Sequence, residues 1–251
     1  MLGRLTSASP RLVAGLAAFL LILAATSAYP YQAEAVRDGG TISGSIEYGG
    51  PPPSPAPLTI TKDREVCGTS PVYDQSLIVG RDRGVANAVV TVADIARGQP
   101  LKPEPAVRFD QKECQYIPHV AVFPAGSTVM ILNSDGILHN IHTESIANPV
   151  IDLAQPGFKK QIRVTIEKPE VIKVTCDAHN WMEGWWYVTA TPYYAITDGH
   201  GHYAIHNVPP GTYTLQVWQE RLGIQAQRVV VRPGAATVAD FTLQSLKNQR
   251  S

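Results

Sequence analysis

Short runs of alternating or β-branched residues, separated by glycine and proline, dominate this chain. Thr41–Tyr48 alternates between apolar and polar side chains, and Val85–Val92 has the composition of a buried strand. Further runs of this kind are Tyr116–Phe123, Ser127–Leu132, Gln161–Ile166, Val171–Thr175, Trp185–Thr191, Tyr203–Ile205, Thr212–Trp218, Gln227–Val231 and Thr237–Leu243. The 20 glycines and 20 prolines cluster largely between them. The pattern predicts an all-β protein built from sandwiches, with a helical turn as an option near Ile146–Leu153.

The first 35 residues have a different character. Arg4 and Arg11 precede an apolar run, Leu12–Ala25, which is too short to span a bilayer comfortably and is followed by small residues. This is typical of a secretory signal, with cleavage after Ala28 or Ala35. The alternative is an uncleaved membrane anchor. The signal predicts a periplasmic or secreted protein.

Charge and motifs exclude several classes of function. The chain has 21 basic and 21 acidic residues, and no basic stripe suggests a nucleic-acid partner. No second apolar segment predicts a membrane span after signal removal. The sequence also lacks a Gly-x-Ser-x-Gly motif, a His-Glu-x-x-His motif and a phosphate-binding loop. We therefore do not expect an enzyme.

Breaks in composition divide the remainder of the chain into three units. They are an N-terminal β segment at 36–108, a central unit at 109–191 and a C-terminal unit at 192–247. A polar tail at 248–251 follows.

The motif with the clearest chemistry is Cys-x-x-His-x-x-Met. Cys176, His179 and Met182 share one short loop directly after the predicted strand Val171–Thr175. A thiolate, an imidazole and a thioether together favour copper, whereas a thioether is a poor ligand for zinc. A second imidazole is available from the run 133–142. The alternative is a buried structural thiol with two ordinary histidines.

The region from about 110 to 191 resembles the cupredoxin, or blue-copper, family, and within it the amicyanin- and plastocyanin-like members. The resemblance rests on a turn at Gly126, a strand end at Asn133, the run 139–142 and the Cys-x-x-His-x-x-Met loop. It implies a Greek-key β-sandwich. The stretch Ile146–Lys160 does not align with the family.

The resemblance also implies a role for individual residues. One type 1 copper would have the ligands His139, Cys176, His179 and Met182. Asn140 would form a hydrogen bond across to the cysteine loop. His142 would be a neighbour that is not a ligand, and we interpret His119 as structural.

Such a site predicts a carrier of single electrons, because the ligands and the hydrogen bonds to sulfur tune a copper couple. The expected partners are redox proteins, such as a c-type cytochrome or a periplasmic dehydrogenase. One edge of the His179 ring would reach the surface, and Trp181 beside it would form a docking surface, with core packing as the alternative. A copper chaperone or store, or a structural β-module that retains copper, remains as an alternative function.

The chain has three cysteines, an odd number for an exported protein. With Cys176 assigned to the metal, Cys67 and Cys114 remain to form a disulfide. Two unpaired thiols, or a second metal site with His119, are the alternatives.

The C-terminal unit resembles the carboxypeptidase regulatory-like, transthyretin-type β-sandwich over about Tyr193–Leu243. An Asp-Gly turn at 198–199 and a Pro-Pro-Gly turn at 209–211 carry the likeness. Thr41–Tyr48 and Val85–Val92 look like opening strands of the same sandwich, so the central unit is a candidate insertion within it. The histidines of this region, His200, His202 and His206, indicate a solvated turn more than a second metal patch.

Overall fold

The computed structural model describes residues 31–245, which are almost entirely β-structure. One short helix, α1 (Arg64–Cys67), is the only α-helix in this described range. The prediction of an all-β fold is confirmed. Most of the predicted signal peptide (1–30) and the polar tail lie outside the described residues. Between residues 31 and 245, no helix has the length and apolar character needed to cross a membrane.

The central unit is a sandwich of two sheets. Its strands are β5 (Val107–Lys112), β6 (Gln115–Ile117), β7 (Val120–Pro124), β8 (Ser127–Asn133), β9 (His139–Glu144), β10 (Asp152–Gln155), β11 (Gln161–Ile166), β12 (Glu170–Thr175) and β13 (Glu183–Thr189). One sheet has the order β10-β9-β12-β13-β7 and the other β11-β8-β5-β6. Every second residue of β8 is buried, as a strand with one face on a core requires. Phe109, Phe123 and Trp186 fill the core between the sheets.

A second, outer sandwich contains strands from both ends of the chain. They are β2 (Gly40–Tyr48), β3 (Val89–Val92), β14 (Tyr194–Ile196), β15 (His202–Val208), β16 (Gly211–Gln219), β17 (Gly223–Val231), β18 (Ala236–Val238) and β19 (Phe241–Leu243). One sheet has the order β14-β3-β16-β17, and the other has the order β15-β2-β18, with β19 also on β2. A separate parallel pair joins β1 (Gln32–Ala33) to β4 (Arg97–Gly98).

The connection between the sandwiches runs through neighbouring strands. β3 pairs with β14, and Val90 lies opposite Ala195. The chain therefore leaves the outer sandwich after β3, forms the central sandwich, and returns beside β3 as β14. The central unit is thus inserted within the outer one. A small third core, formed by Val89, Val120, Tyr187 and Trp218, lies where the two units meet.

Two local predictions were wrong. Tyr116–Phe123 is not one strand: β6 and β7 lie in different sheets, and Pro118 between them has no N–H to donate to a ladder. No helical turn forms over Ile146–Leu153, where bends lead into β10. Instead, the side-chain amide of Asn148 donates to the carbonyl oxygen of Lys168 and accepts from its backbone N–H.

Candidate metal centre

The four predicted ligands lie at one end of the central sandwich. His139 is the first residue of β9, and Cys176 directly follows the last residue of β12. β9 and β12 are antiparallel neighbours, so the start of one strand lies beside the end of the other. The loop between β12 and β13 carries His179 and Met182. Sheet pairing thus brings His139 close to His179, although the two are 40 residues apart in the sequence.

Three donor atoms converge in this region. His139 Nδ1 lies 3.1 Å from His179 Nδ1, and His179 Nδ1 lies 3.8 Å from Cys176 Sγ. One nitrogen of each imidazole and the sulfur all lie within 4.8 Å of one another. Both histidines are 0% exposed, and Cys176 and Met182 are each 2% exposed. This is a dry cluster of nitrogen and sulfur donors.

Cys176 is held in an environment that favours its thiolate. Burial opposes ionisation, but His139 and the backbone N–H groups of Asn140 and His179 outweigh it, so the pKa of Cys176 lies below its usual value. Asn140 N lies 3.3 Å from the sulfur. The thiolate is the form of cysteine that binds metals.

The far nitrogen of each imidazole contacts a carboxylate. His139 Nε2 lies 2.9 Å from Asp135 Oδ2, and His179 Nε2 lies 2.8 Å from Asp63 Oδ2. A carboxylate accepts, so each Nε2–H donates, and a neutral ring then presents a lone pair at Nδ1. When both rings are neutral, two lone pairs face each other at 3.1 Å beside a sulfur. A metal ion between these atoms would relieve their repulsion, and the residues present therefore fit the predicted copper.

His179 differs from the prediction in its exposure. The expectation that one edge of its ring reaches the surface is wrong, because the side chain is 0% exposed and Asp63 caps Nε2. Asp63 immediately precedes α1, and Lys62 Nζ lies 3.5 Å from the carbonyl oxygen of Ala178. The segment around Lys62 and Asp63 precedes the central sandwich in sequence and covers the loop between β12 and β13, which we call the metal loop (residues 176–182). The spacing of residues near the ligands gave no indication that this segment would contact them.

The predicted disulfide is confirmed. Cys67 in α1 is bonded to Cys114, and their Cα atoms are 5.2 Å apart. Cys176 is the free cysteine of residues 31–245. The disulfide fixes α1, and with it Asp63, against the central sandwich. Because Cys114 is in the disulfide, it has no free thiolate for the alternative of a second metal site with His119.

Two further polar residues connect the strand ends at the site. Asn140 reaches the cysteine loop through its backbone N–H, while its side chain donates to Asp152 Oδ1 at 2.8 Å. Tyr116, a residue that our sequence interpretation missed, is buried, and its hydroxyl lies 2.7 Å from the carbonyl oxygen of Asn140 and 2.9 Å from that of Thr175. The hydroxyl thus bridges the chain segments that carry His139 and Cys176.

Trp181 belongs to the metal loop and is partly exposed at the surface. It is partly buried, its ring centre is 5.0 Å from that of His179, and its Nε1 donates to the carbonyl oxygen of Cys114. Trp181 and Met182 also line an open cleft of about 470 Å³. The cleft continues to Tyr73 and Glu220, so both sandwiches contribute to it.

The other histidines have separate partners. His119 is buried and pairs with Glu220 of the outer sandwich, which agrees with the structural role expected for it. His142 is not among the converging donors and lies 3.0 Å from Asp177 at the surface, with Asp152 nearby. His200 pairs with the exposed Asp82.

Sequence comparison identifies one unit. The profile of the carboxypeptidase regulatory-like domain matches residues 187–244, which agrees with the C-terminal resemblance predicted from the sequence. No curated protein matches the chain.

Among solved structures, cupredoxins resemble part of the chain. A copper-containing nitrite reductase from Thermus scotoductus SA-01 is 25% identical with a TM-score of 0.30, and the match covers 39% of this chain. The chain spans only 25% of that enzyme's length. A purple cupredoxin from Nitrosopumilus maritimus is 24% identical with a TM-score of 0.27, and the match covers 35% of this chain and 100% of that one. A copper(I) amicyanin variant is 19% identical with a TM-score of 0.31, and the match covers 34% of this chain and 82% of that one. All three TM-scores are low.

Proposed function

We propose that this chain is a type 1 copper protein that carries single electrons, exported to the periplasm or secreted. Its ligands would be His139, Cys176, His179 and Met182. The observation that carries the proposal is the convergence of a buried thiol and two imidazole nitrogens, with a methionine on the same short loop. A donor set of this kind suits copper.

The surrounding residues prepare the site for electron transfer. Copper, when bound, would supply a one-electron couple. His139 and Cys176 are attached to paired strand ends, and the Tyr116 hydroxyl lies between the two backbones that carry them. The backbone N–H of Asn140 faces the sulfur, where it tunes the charge on the thiolate. Fixed ligands reduce the rearrangement that accompanies a change of oxidation state.

Burial separates this function from copper storage or delivery. A store or chaperone must release its ion, which requires ligands that another protein or solvent can reach. Here the four side chains are at most 2% exposed, and a disulfide-anchored segment covers one of them. Four protein side chains would occupy the coordination positions of a type 1 copper, and we therefore propose an electron carrier rather than an enzyme that turns over substrate at the metal.

The proposed partner is another redox protein, such as a c-type cytochrome or a periplasmic dehydrogenase. With His179 covered, Trp181 is the partly exposed aromatic residue in contact with a ligand ring. An aromatic side chain at a surface cleft is suited to a protein interface.

The test is copper reconstitution of the purified mature protein. We expect an intense blue absorption from thiolate-to-copper charge transfer and reversible titration by one electron. Cys176→Ser should abolish the colour, and Met182→Leu should shift the potential. Met130→Leu, a change on β8, is the matched control and should alter neither. A blue Cys176→Ser protein would contradict the assignment.

A further inference from the structure

Both candidate imidazoles are supported by a carboxylate on the nitrogen that faces away from the sulfur. Asp63 contacts His179, and Asp135 contacts His139, at 2.8 and 2.9 Å respectively. Because each carboxylate can only accept, each ring in its neutral form is held in the tautomer that directs an unprotonated Nδ1 inward. The two carboxylates therefore have the same relation to the site, although they come from different parts of the chain.

The backbone around Cys114 positions both carboxylates. Asp135 accepts hydrogen bonds from the backbone N–H groups of Glu113 and Cys114, at 2.6 and 2.9 Å. Asp63 precedes the helix that Cys67 ties to Cys114. The positions of both carboxylates thus depend on the backbone around Cys114, which limits how far either can move away from its histidine.

The charges of these carboxylates act on the ion that the imidazoles would hold. The side chain of Asp135 is 6% exposed and that of Asp63 is 32% exposed, so solvent screens the first only weakly and the second in part. A negative charge stabilises a divalent ion more than a monovalent one. Lys62 is the nearby cation that opposes Asp63, and it is exposed.

We propose that Asp63 and Asp135 are positioning residues that hold both imidazoles with Nδ1 towards the metal, and that their charges lower its reduction potential. This inference rests on the proposed copper function. It gives the covering segment a role beyond shielding, because that segment delivers one of the two charges.

The decisive variant is Asp63→Asn, which keeps an oxygen acceptor and the side-chain size but removes the charge. Loss of a partner that supports a ligating histidine typically changes metal affinity by about 10–100-fold. If Cu(II) binding weakens about tenfold relative to Cu(I), the potential rises by about 59 mV. Asp63→Glu restores the charge and should return the potential towards the native value.

Asp82→Asn is the matched control. Asp82 pairs with His200 at 2.9 Å in the outer sandwich, so the substitution removes the same charge from the same type of pair away from the site. It should leave the potential unchanged. Thermal unfolding of each metal-free variant shows whether the fold is retained.

The outcomes separate this inference from the proposed function. A native protein that gives no blue band with copper would contradict the function itself. A blue protein whose potential is the same in the native form, Asp63→Asn and Asp135→Asn would overturn only the positioning role. If Asp63→Asn does not fold, Asp135→Asn decides alone: a raised potential supports the role, and an unchanged one contradicts it.

Discussion

Trp181 is the residue at which the metal loop meets the surface. Its ring packs on His179, and its indole N–H is held by the carbonyl oxygen of Cys114, so its orientation is fixed from both sides. Core packing was the alternative to a docking role for Trp181 in the sequence. The residue does both: it packs on His179 and also lines the cleft. Under the proposed function, Trp181 is the aromatic residue through which an electron from a partner would reach the ligand His179.

We expect Trp181→Ala to keep the blue spectrum and to slow reduction by a c-type cytochrome several-fold. A small inorganic reductant needs no docking surface and should be affected much less. Stopped-flow measurements with both reductants make the comparison. Tyr73→Ala, which alters the same cleft without a contact to a ligand, is the control. Equal slowing with both reductants, or no slowing with either, would show that Trp181 only packs.

At the residue scale, local spacing was informative and distant contacts were not. Cys176, His179 and Met182 could be proposed as ligands from the sequence because three soft or nitrogen donors share one loop. Asp63 was not predictable, since 116 positions separate it from His179 and a disulfide-anchored helix brings it there. The burial of His179 was missed for the same reason.

Among the elements, strands with a clear period of two were the easiest to predict. β11 was predicted with its observed bounds, Gln161–Ile166, and β8 was predicted to within one residue. β9 was missed because its sequence, His-Asn-Ile-His-Thr-Glu, is polar where it carries site residues. The helical turn near Ile146 was wrong because a side chain from the next hairpin, Glu170, binds the backbone there instead.

Glu170 stabilises this loop as an ion. Its carboxylate accepts from the backbone N–H groups of residues 146, 147 and 148 and from the amide of Asn148. Burial acts to raise the pKa of Glu170, but these hydrogen bonds outweigh it, and the pKa lies below its usual value. The stabilisation is therefore complete above the usual glutamate pKa and is lost as the pH falls through the lower pKa of the folded state.

Glu170→Gln should reduce the free energy of unfolding at pH 7 by about 1 kcal/mol. This is less than the full contribution of a hydrogen bond to a charged group, because Glu170 is partly exposed and solvent screens its charge. Below the pKa of the folded state, the native protein and the variant should converge. Urea unfolding at several pH values measures both effects. The control is Glu167→Gln at an exposed neighbouring position, which should have no effect. A loss that does not depend on pH would contradict the role of the charge.

At the scale of the whole molecule, the insertion places the central sandwich, which carries the candidate metal site, within another sandwich. Changes in composition place unit boundaries at about 108 and 191. They do not give the pairing of β3 with β14, which joins strands from before and after the inserted unit in one sheet. The two units are also held together by packing. Trp218 contacts Trp185 and Tyr187, with ring centres 5.3 and 5.6 Å apart.

Glu220 is the polar centre of this interface. One carboxylate oxygen contacts His119 Nε2, and the other accepts from Trp185 Nε1 at 2.7 Å. The side chains of Glu220 and His119 are 5% and 6% exposed. Removal of the carboxylate would leave the buried His119 and the partly buried Trp185 without their shared acceptor, and desolvated donors of this kind are costly.

Glu220→Ala should therefore lower the free energy of unfolding by about 2 kcal/mol, within the range found when a buried polar group loses its hydrogen-bond partner. Because the same contact joins the two sandwiches, the variant should also unfold in two calorimetric transitions where the native protein unfolds in one. The blue colour should persist, since no ligand is touched. Asp82→Ala, which breaks an exposed His–Asp pair within the outer sandwich, should change neither the stability nor the number of transitions. A Glu220→Ala protein that unfolds like the native one would mean that apolar packing alone couples the two units.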